Sequence, residues 1–276
     1  MLSSLGWALG SSGCVEIDPS YGESYSTSSE PTSATSIASA TSIDASTGPD
    51  DDDSSSVSGD PGCACGPWEL CEGGACTPPT RILYINLDGA TTTFGPADAS
   101  MNSQNLYEEF EASFAGYSPD AGPREALMDA ITAQWAPFGV LVTGQRPDPS
   151  VTTPYMMAVV TADPPPAGFE GVAWVAFPDC GDGITRDVAF VFNAPGDGFS
   201  AQEHANAVSG AIAQTFGLQR TGSSDDITGF GGQFVDACIP RSQDPPCAAH
   251  DPQLCGGDAT QQNSYRELAA LLGLRG

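Results

Sequence analysis

Nine cysteines, two histidines and a few close aspartate pairs are the residues of this chain whose types could do chemistry. Cys14 stands apart. Cys63, Cys65, Cys71, Cys76, Cys180, Cys238, Cys247 and Cys255 form an even set, as four disulfides in an oxidising compartment would need. Zinc is the rival use of cysteine. However, Cys63-Ala64-Cys65 is tighter than the usual gap of about two to four residues, and no histidine lies near it. Disulfides are therefore expected. Asp179 and Asp182 flank Cys180-Gly181, and Asp225 and Asp226 are adjacent. Calcium takes such loop carboxylates, but the spacing matches no defined loop, so they read as solvated turn residues. His250 lies in a cysteine-rich stretch and reads as solvated too. No serine sits in a G-x-S-x-G elbow, and there is neither a phosphate-binding loop nor a dinucleotide fingerprint.

Most of these residues lie beyond position 60, and the sequence before that point has a different character. Small residues Ser11-Ser12-Gly13 directly precede Cys14, after a mildly apolar stretch that includes Leu5, Trp7 and Leu9. This resembles the lipobox of bacterial lipoproteins, which implies that residues 1–14 are an export signal and that Cys14 carries lipid. Residues 15–60 contain 19 Ser or Thr and ten acidic residues, with a solid run from Asp50 to Asp53. Such a segment cannot bury enough apolar surface to offset chain entropy, so it is expected to be a disordered tether. Residues 61–78 hold four cysteines among glycine and proline. They are expected to form a small disulfide-rich module, paired internally, with three connectivities open.

A folded domain is expected over residues 80–276. Arg81–Leu87, Val140–Thr143, Tyr155–Val160, Val172–Phe177 and Asp187–Phe192 read as strands. A helix is expected from about Pro123, a good first-turn residue, to Gly139, with Leu127, Ile131 and Trp135 on one face. A second helix runs from about Ala201 to Phe216 and stops at Gly217, with Val208, Ile212 and Phe216 as its buried stripe. The segment 218–262 is irregular. Asn263 caps a final helix, Ser264–Leu272. The fold class is α/β (α+β): a central twisted sheet, two main helices, and an irregular disulfide-rich C-terminal part.

The charge balance narrows the partners. Acidic residues number 35 against eight arginines, with a net charge of −27. Nucleic acid and anionic lipid surfaces would repel such a chain. No segment approaches the roughly 18 apolar residues needed to span a bilayer, so membrane attachment is expected only through a lipid on Cys14.

The order of elements resembles that of the metzincin metalloproteases, whose signature is H-E-x-x-H-x-x-G-x-x-H. Thr215-Phe216-Gly217-Leu218 resembles the H-T-F-G-L run common in bacterial metzincins. Asp226-Ile227-Thr228-Gly229-Phe230-Gly231 resembles their Met-turn, with Thr228 in place of methionine. Gln262 to Leu268 resembles the closing helix of a group of secreted, cysteine-containing metzincin-like proteins, and Asn86 to Gly89 fits the same group. The resemblance implies a zinc site on the second helix, and the residues depart from it. Gly210 stands at the first ligand position, Ala211 at the general base, Gln214 at the second ligand and Arg220 at the third, with Gly217 kept at the turn. The guanidinium of Arg220 cannot deprotonate. It would repel a divalent ion about 4 Å away by roughly 8 kcal/mol at an effective dielectric of ~20. No cofactor is expected, zinc least of all. Glu203 and His204 could in principle seat a relocated site, but His204 reads as a partly exposed polar residue at a helix start.

The function implied is an exported, lipid-anchored protein of the cell envelope or exterior. Its head is a catalytically inactive metzincin-like domain that binds a peptide or protein in a vestigial cleft, expected to be lined by Gly210, Ala211 and Gln214, with Arg220 reaching in and neutralised by Asp226. A purely structural display head and an active hydrolase with non-standard ligands are the alternatives.

Overall fold

The apolar runs become neighbouring strands of one sheet. In the computed structural model, which describes residues 63–180, 182–241 and 251–275, five strands carry the domain: β1 (Arg81–Asn86), β2 (Val140–Thr143), β3 (Tyr155–Thr161), β4 (Trp174–Val175) and β5 (Val188–Phe192). Their order across the sheet is β4-β5-β3-β1-β2. All neighbours pair in parallel except the β4 edge, which is antiparallel to β5. The fold is thus a mixed α/β domain with a mixed central sheet.

Continuous apolar runs suit strands that are covered on both faces. Successive side chains point to opposite sides, and two cores result. Leu83 and Ile85, Met156, Ala158 and Val160, and Ala189 and Val191 meet the helices α1 (Ala121–Trp135), α2 (Ala201–Thr215) and α3 (Ser264–Leu272) on one face. Ile82 and Tyr84, Tyr155, Met157 and Val159, and Val188 and Phe190 meet Phe110, Phe114 and Phe169 on the other.

Leu127, Ile131 and Trp135 form the buried face of α1 as expected, but the helix starts at Ala121 and stops at Trp135, earlier than Gly139. Pro123 lies inside its first turn, where its missing N–H costs nothing. Gly139 instead permits close approach to α3: a Cβ there would stand 2.9 Å from the Leu272 carbonyl oxygen. The expected strand at 172–177 shrinks to two residues, because only Trp174 and Val175 find partners on β5.

Helix α2 begins with a capping box. Ser200 Oγ accepts from the Glu203 N–H, and the Glu203 carboxylate accepts from the Ser200 N–H. Val208, Ile212 and Phe216 are buried as expected, yet so are most other residues of the helix, His204 through Ala213 included. A polar stitch ties α2 to α1: Trp135 Nε1 donates to Ser209 Oγ, which donates to Gln134 Oε1. The α3 helix has the bounds and the Asn263 cap that its sequence predicts.

The disulfide-rich segment forms a hairpin, Leu70–Glu72 against Ala75–Thr77, stapled by Cys63–Cys71 and Cys65–Cys76. Leu70 is buried in the second core, so this hairpin is continuous with the domain's packing. Cys238 pairs with Cys255, and Cys180 is disulfide-bonded as well. The described residues all belong to one unit, Ser55–Gly276. The signal-like segment with Cys14, the 15–60 tether, Cys247 and His250 lie outside the described residues. Among those described, no helix is long and apolar enough to cross a membrane.

Peptide mapping of unreduced protein should recover Cys63 joined to Cys71 and Cys65 joined to Cys76. A Cys63–Cys65 or Cys63–Cys76 linkage, or free thiols in this segment, would contradict the hairpin.

Candidate functional site

The residues singled out by the metzincin resemblance do converge, but they surround a tryptophan and not a cleft. Trp174, on the edge strand β4, lies on Gly210. A Cβ at Gly210 would stand 3.0 Å from Trp174 Cη2, 3.1 Å from Cζ2 and 3.3 Å from the Ile227 carbonyl oxygen. The indole Nε1 donates to Gln214 Oε1 at 3.1 Å. Trp174 is 2 % exposed. The expectation that Gly210, Ala211 and Gln214 line an open cleft is therefore corrected. The indole covers Gly210, Ala211 is wholly buried in the core, and Gln214 is spent on Trp174.

Arg220 reaches the same place through the aromatic rings. Its Cζ sits 4.7 Å from the centre of the Trp174 ring and 5.7 Å from that of Phe230, and the two rings are 4.3 Å apart. A guanidinium this close to an indole face gains cation–π attraction. Burial pulls the Arg220 pKa down from its ordinary value. The Asp226 carboxylate, expected to neutralise Arg220, has other work. It is wholly buried and accepts from the N–H and hydroxyl of Thr228, from the Val235 N–H and from Ser264 Oγ. Asp226 thereby ties its own turn to the start of α3.

That turn is built around close approach. Ile227–Gly229 form a single 3-10 turn under α2, and the Asp226 carbonyl accepts from the N–H groups of Gly229 and Gly231. A Cβ at Gly229 would stand 2.0 Å from the Ser223 carbonyl oxygen, and one at Gly231 would stand 2.2 Å from the Asp225 carbonyl. The Thr228 hydroxyl points inward, 3.2 Å from Thr221 Oγ1 and 3.3 Å from Gln262 Nε2. Phe230 closes the turn in the left-handed region, at φ 71°, and the residue is 40 % exposed. A bulky residue held in that conformation costs on the order of 1–3 kcal/mol. Its carbonyl is gripped by Asn206 Nδ2 on α2. Gly217 also keeps the turn expected of it. At φ +85° it ends α2, and it lies so near the Asp179 carbonyl oxygen that a Cβ would stand 3.0 Å away.

The relocated-site idea fails on geometry. The Glu203 carboxylate is spent on the capping box, and hydrogen bonds from Ser200 hold its pKa below the ordinary carboxylate value. His204 is 2 % exposed, contrary to its expected partial exposure. Its Nδ1 lies 2.8 Å from the Tyr117 hydroxyl, and its Nε2 lies 3.0 and 3.1 Å from the two Asp197 oxygens. Burial, then the Asp197 charge, raises the Tyr117 pKa. This Asp–His–Tyr chain is a buried fastening between the start of α2 and the segment after β1. Asp197 lies only seven residues before His204, but Tyr117 is 87 residues away, and no local signal ties it to the other two. Asp179 and Asp182 also depart from expectation: Asp179 is buried and Asp182 is ion-paired to Arg81. Of the remaining aspartate pair, Asp225 is exposed as expected and Asp226 is not.

No protein-family model matches the chain, and no curated protein matches it either.

Replacing Asp226 by alanine leaves buried donors from Thr228, Val235 and Ser264 without an acceptor. The expected loss is on the order of 3 kcal/mol of unfolding free energy. Chemical denaturation should register it, and a loss below about 1 kcal/mol would mean that the turn does not depend on this carboxylate.

Proposed function

We propose that the chain is an exported, lipid-anchored protein whose folded head is a catalytically silent metzincin-like module. The observation that carries this reading is the aromatic and cationic plug made by Trp174, Gln214, Arg220 and Phe230 beside Gly210. At the positions where the resemblance requires three imidazoles and a carboxylate, the chain offers no side chain, a methyl group, an amide and a guanidinium. The amide is engaged by an indole. The guanidinium brings a fixed positive charge to the place where a Lewis acid would have to sit. Three described disulfide pairs fit passage through an oxidising compartment.

In this reading the head contacts a peptide or protein partner, and the contact surface has shifted from a groove to a rim. The Phe230 ring is exposed and is held in a strained backbone conformation, as residues at binding surfaces often are. A purely structural display head is favoured by one opposing observation, the near-complete burial of Trp174, which leaves little concavity at this spot. Binding of extended peptides, lost on Phe230→Ala with no change in melting temperature, distinguishes the two.

Elemental analysis of the purified, dialysed protein should find zinc far below one equivalent, and zinc added back should leave the melting temperature unchanged. Stoichiometric zinc, or peptide hydrolysis that a chelator abolishes, would replace this reading with that of an active hydrolase using non-standard ligands.

A further inference from the structure

A second concave surface lies apart from the residues around Trp174. The stretch that follows α2, the outer side of α3 and the 3-10 turn Pro252–Cys255 enclose a groove of about 230 Å³. Its floor is apolar and belongs to the core: Phe216, Leu218 and Leu268 lie there, all buried. Its walls are apolar too, but the domain leaves them uncovered. Leu254 is half-buried on the 3-10 turn, and Leu271 is 37 % exposed on α3. Leu268 and Leu272 already anchor α3 to the core, so packing within the domain does not account for Leu271.

The rim carries one sign of charge. Asp182, Asp251 and Glu267 all line the groove, whereas none of the eight arginines does. Glu267 precedes Leu271 by four residues, so a carboxylate and an uncovered leucine share one face of α3. Asp251 is exposed at the head of the 3-10 turn. The Cys238–Cys255 disulfide holds that turn, and the Asp251 carboxylate accepts from the Gln253 N–H within it. This wall is therefore fixed before any partner arrives, which lowers the cost of binding.

An apolar centre inside a polar rim is the anatomy of a docking surface, and the sign of the rim selects the occupant. Residues 1–62 contain no lysine, arginine or histidine, so they bring no cation to it. A second copy of the chain would bring its own net charge of −27 and be repelled. We propose that this groove docks a basic segment of a partner protein, with an apolar side chain on the Phe216, Leu218 and Leu268 floor and a flanking lysine or arginine facing Asp251 and Glu267. Charge guides the approach, and the apolar anchor makes the contact specific. The groove shares no lining residue with the Phe230 rim, so this inference stands apart from the peptide contact proposed there.

The test uses the full chain and three fluorescein-labelled peptides: Gly-Lys-Leu-Leu-Lys-Gly, Gly-Lys-Ser-Ser-Lys-Gly and Gly-Glu-Leu-Leu-Glu-Gly. Fluorescence anisotropy should show the lysine–leucine peptide binding at least about tenfold more tightly than the other two, each of which lacks one half of the match. Leu271→Glu should weaken that binding by at least about tenfold. Asp251→Asn, which keeps the turn's cap and removes its charge, should weaken it by about threefold. Equal binding of the lysine–leucine and lysine–serine peptides would overturn the proposal, because attraction to an acidic chain would then explain everything. So would binding that Leu271→Glu leaves intact, or binding that Phe230→Ala abolishes, which would place the peptide on the other surface. Should Leu271→Glu fail to fold, the Asp251→Asn variant and the three-peptide comparison decide the matter.

Discussion

The contact on which the rest of this site depends is the one between Gly210 and Trp174. A glycine in the middle of a helix costs about 1 kcal/mol relative to alanine, so helix stability does not explain its presence in α2. The structure supplies the reason. The indole edge comes within 3.0 Å of where a Cβ would be, and the Ile227 carbonyl comes within 3.3 Å. Removing one side chain lets the edge strand β4 and the 226–231 turn both close on the helix. Once the indole is seated, its Nε1 fixes Gln214, and its ring face gives the Arg220 guanidinium an apolar yet electrostatically favourable place to lie.

The turn beneath the helix is held from the other side. Asp226 gathers four donors from its own turn, from Val235 and from the first residue of α3, so the turn's shape is set before any side chain of α2 is considered. Phe230 adopts a left-handed backbone between two closely packed glycines, and its ring lies next to Trp174 and Arg220. Burial, strain and exposed aromatic surface are thus linked in one short stretch.

Much of the framework was legible in the sequence because its signals are local. The apolar runs of β1, β3 and β5 announce strands covered on both faces, and Asn263 announces α3. The expectation that Gly210, Gln214, Arg220 and the 226–231 turn would meet rests on a resemblance and not on any local signal in these residues. What sequence could not reveal depends on long-range burial. Trp174 reads as one residue of an ordinary strand, and nothing nearby says that its ring will fill the space beside Gly210. His204 reads as polar and exposed, since its partners Tyr117 and Asp197 are remote or lie across a loop. Asp226 and Asp179 read as turn carboxylates, and their burial appears only when α3 and the end of α2 pack over them. For His204 and Asp226, partners from remote elements, Tyr117 and Ser264, complete the burial that the local sequence does not announce.

The most direct measurement of the central claim is a double-mutant cycle between Gly210→Ala and Trp174→Ala, read as unfolding free energies by chemical denaturation. If the indole dictates the glycine, Gly210→Ala destabilises the wild type despite its better helix propensity. The same change in the Trp174→Ala background becomes harmless or stabilising by up to about 1 kcal/mol, giving a coupling of at least about 1 kcal/mol. A Gly210→Ala substitution that stabilises both backgrounds equally would contradict the account, because it would leave position 210 with room that the packed indole should occupy.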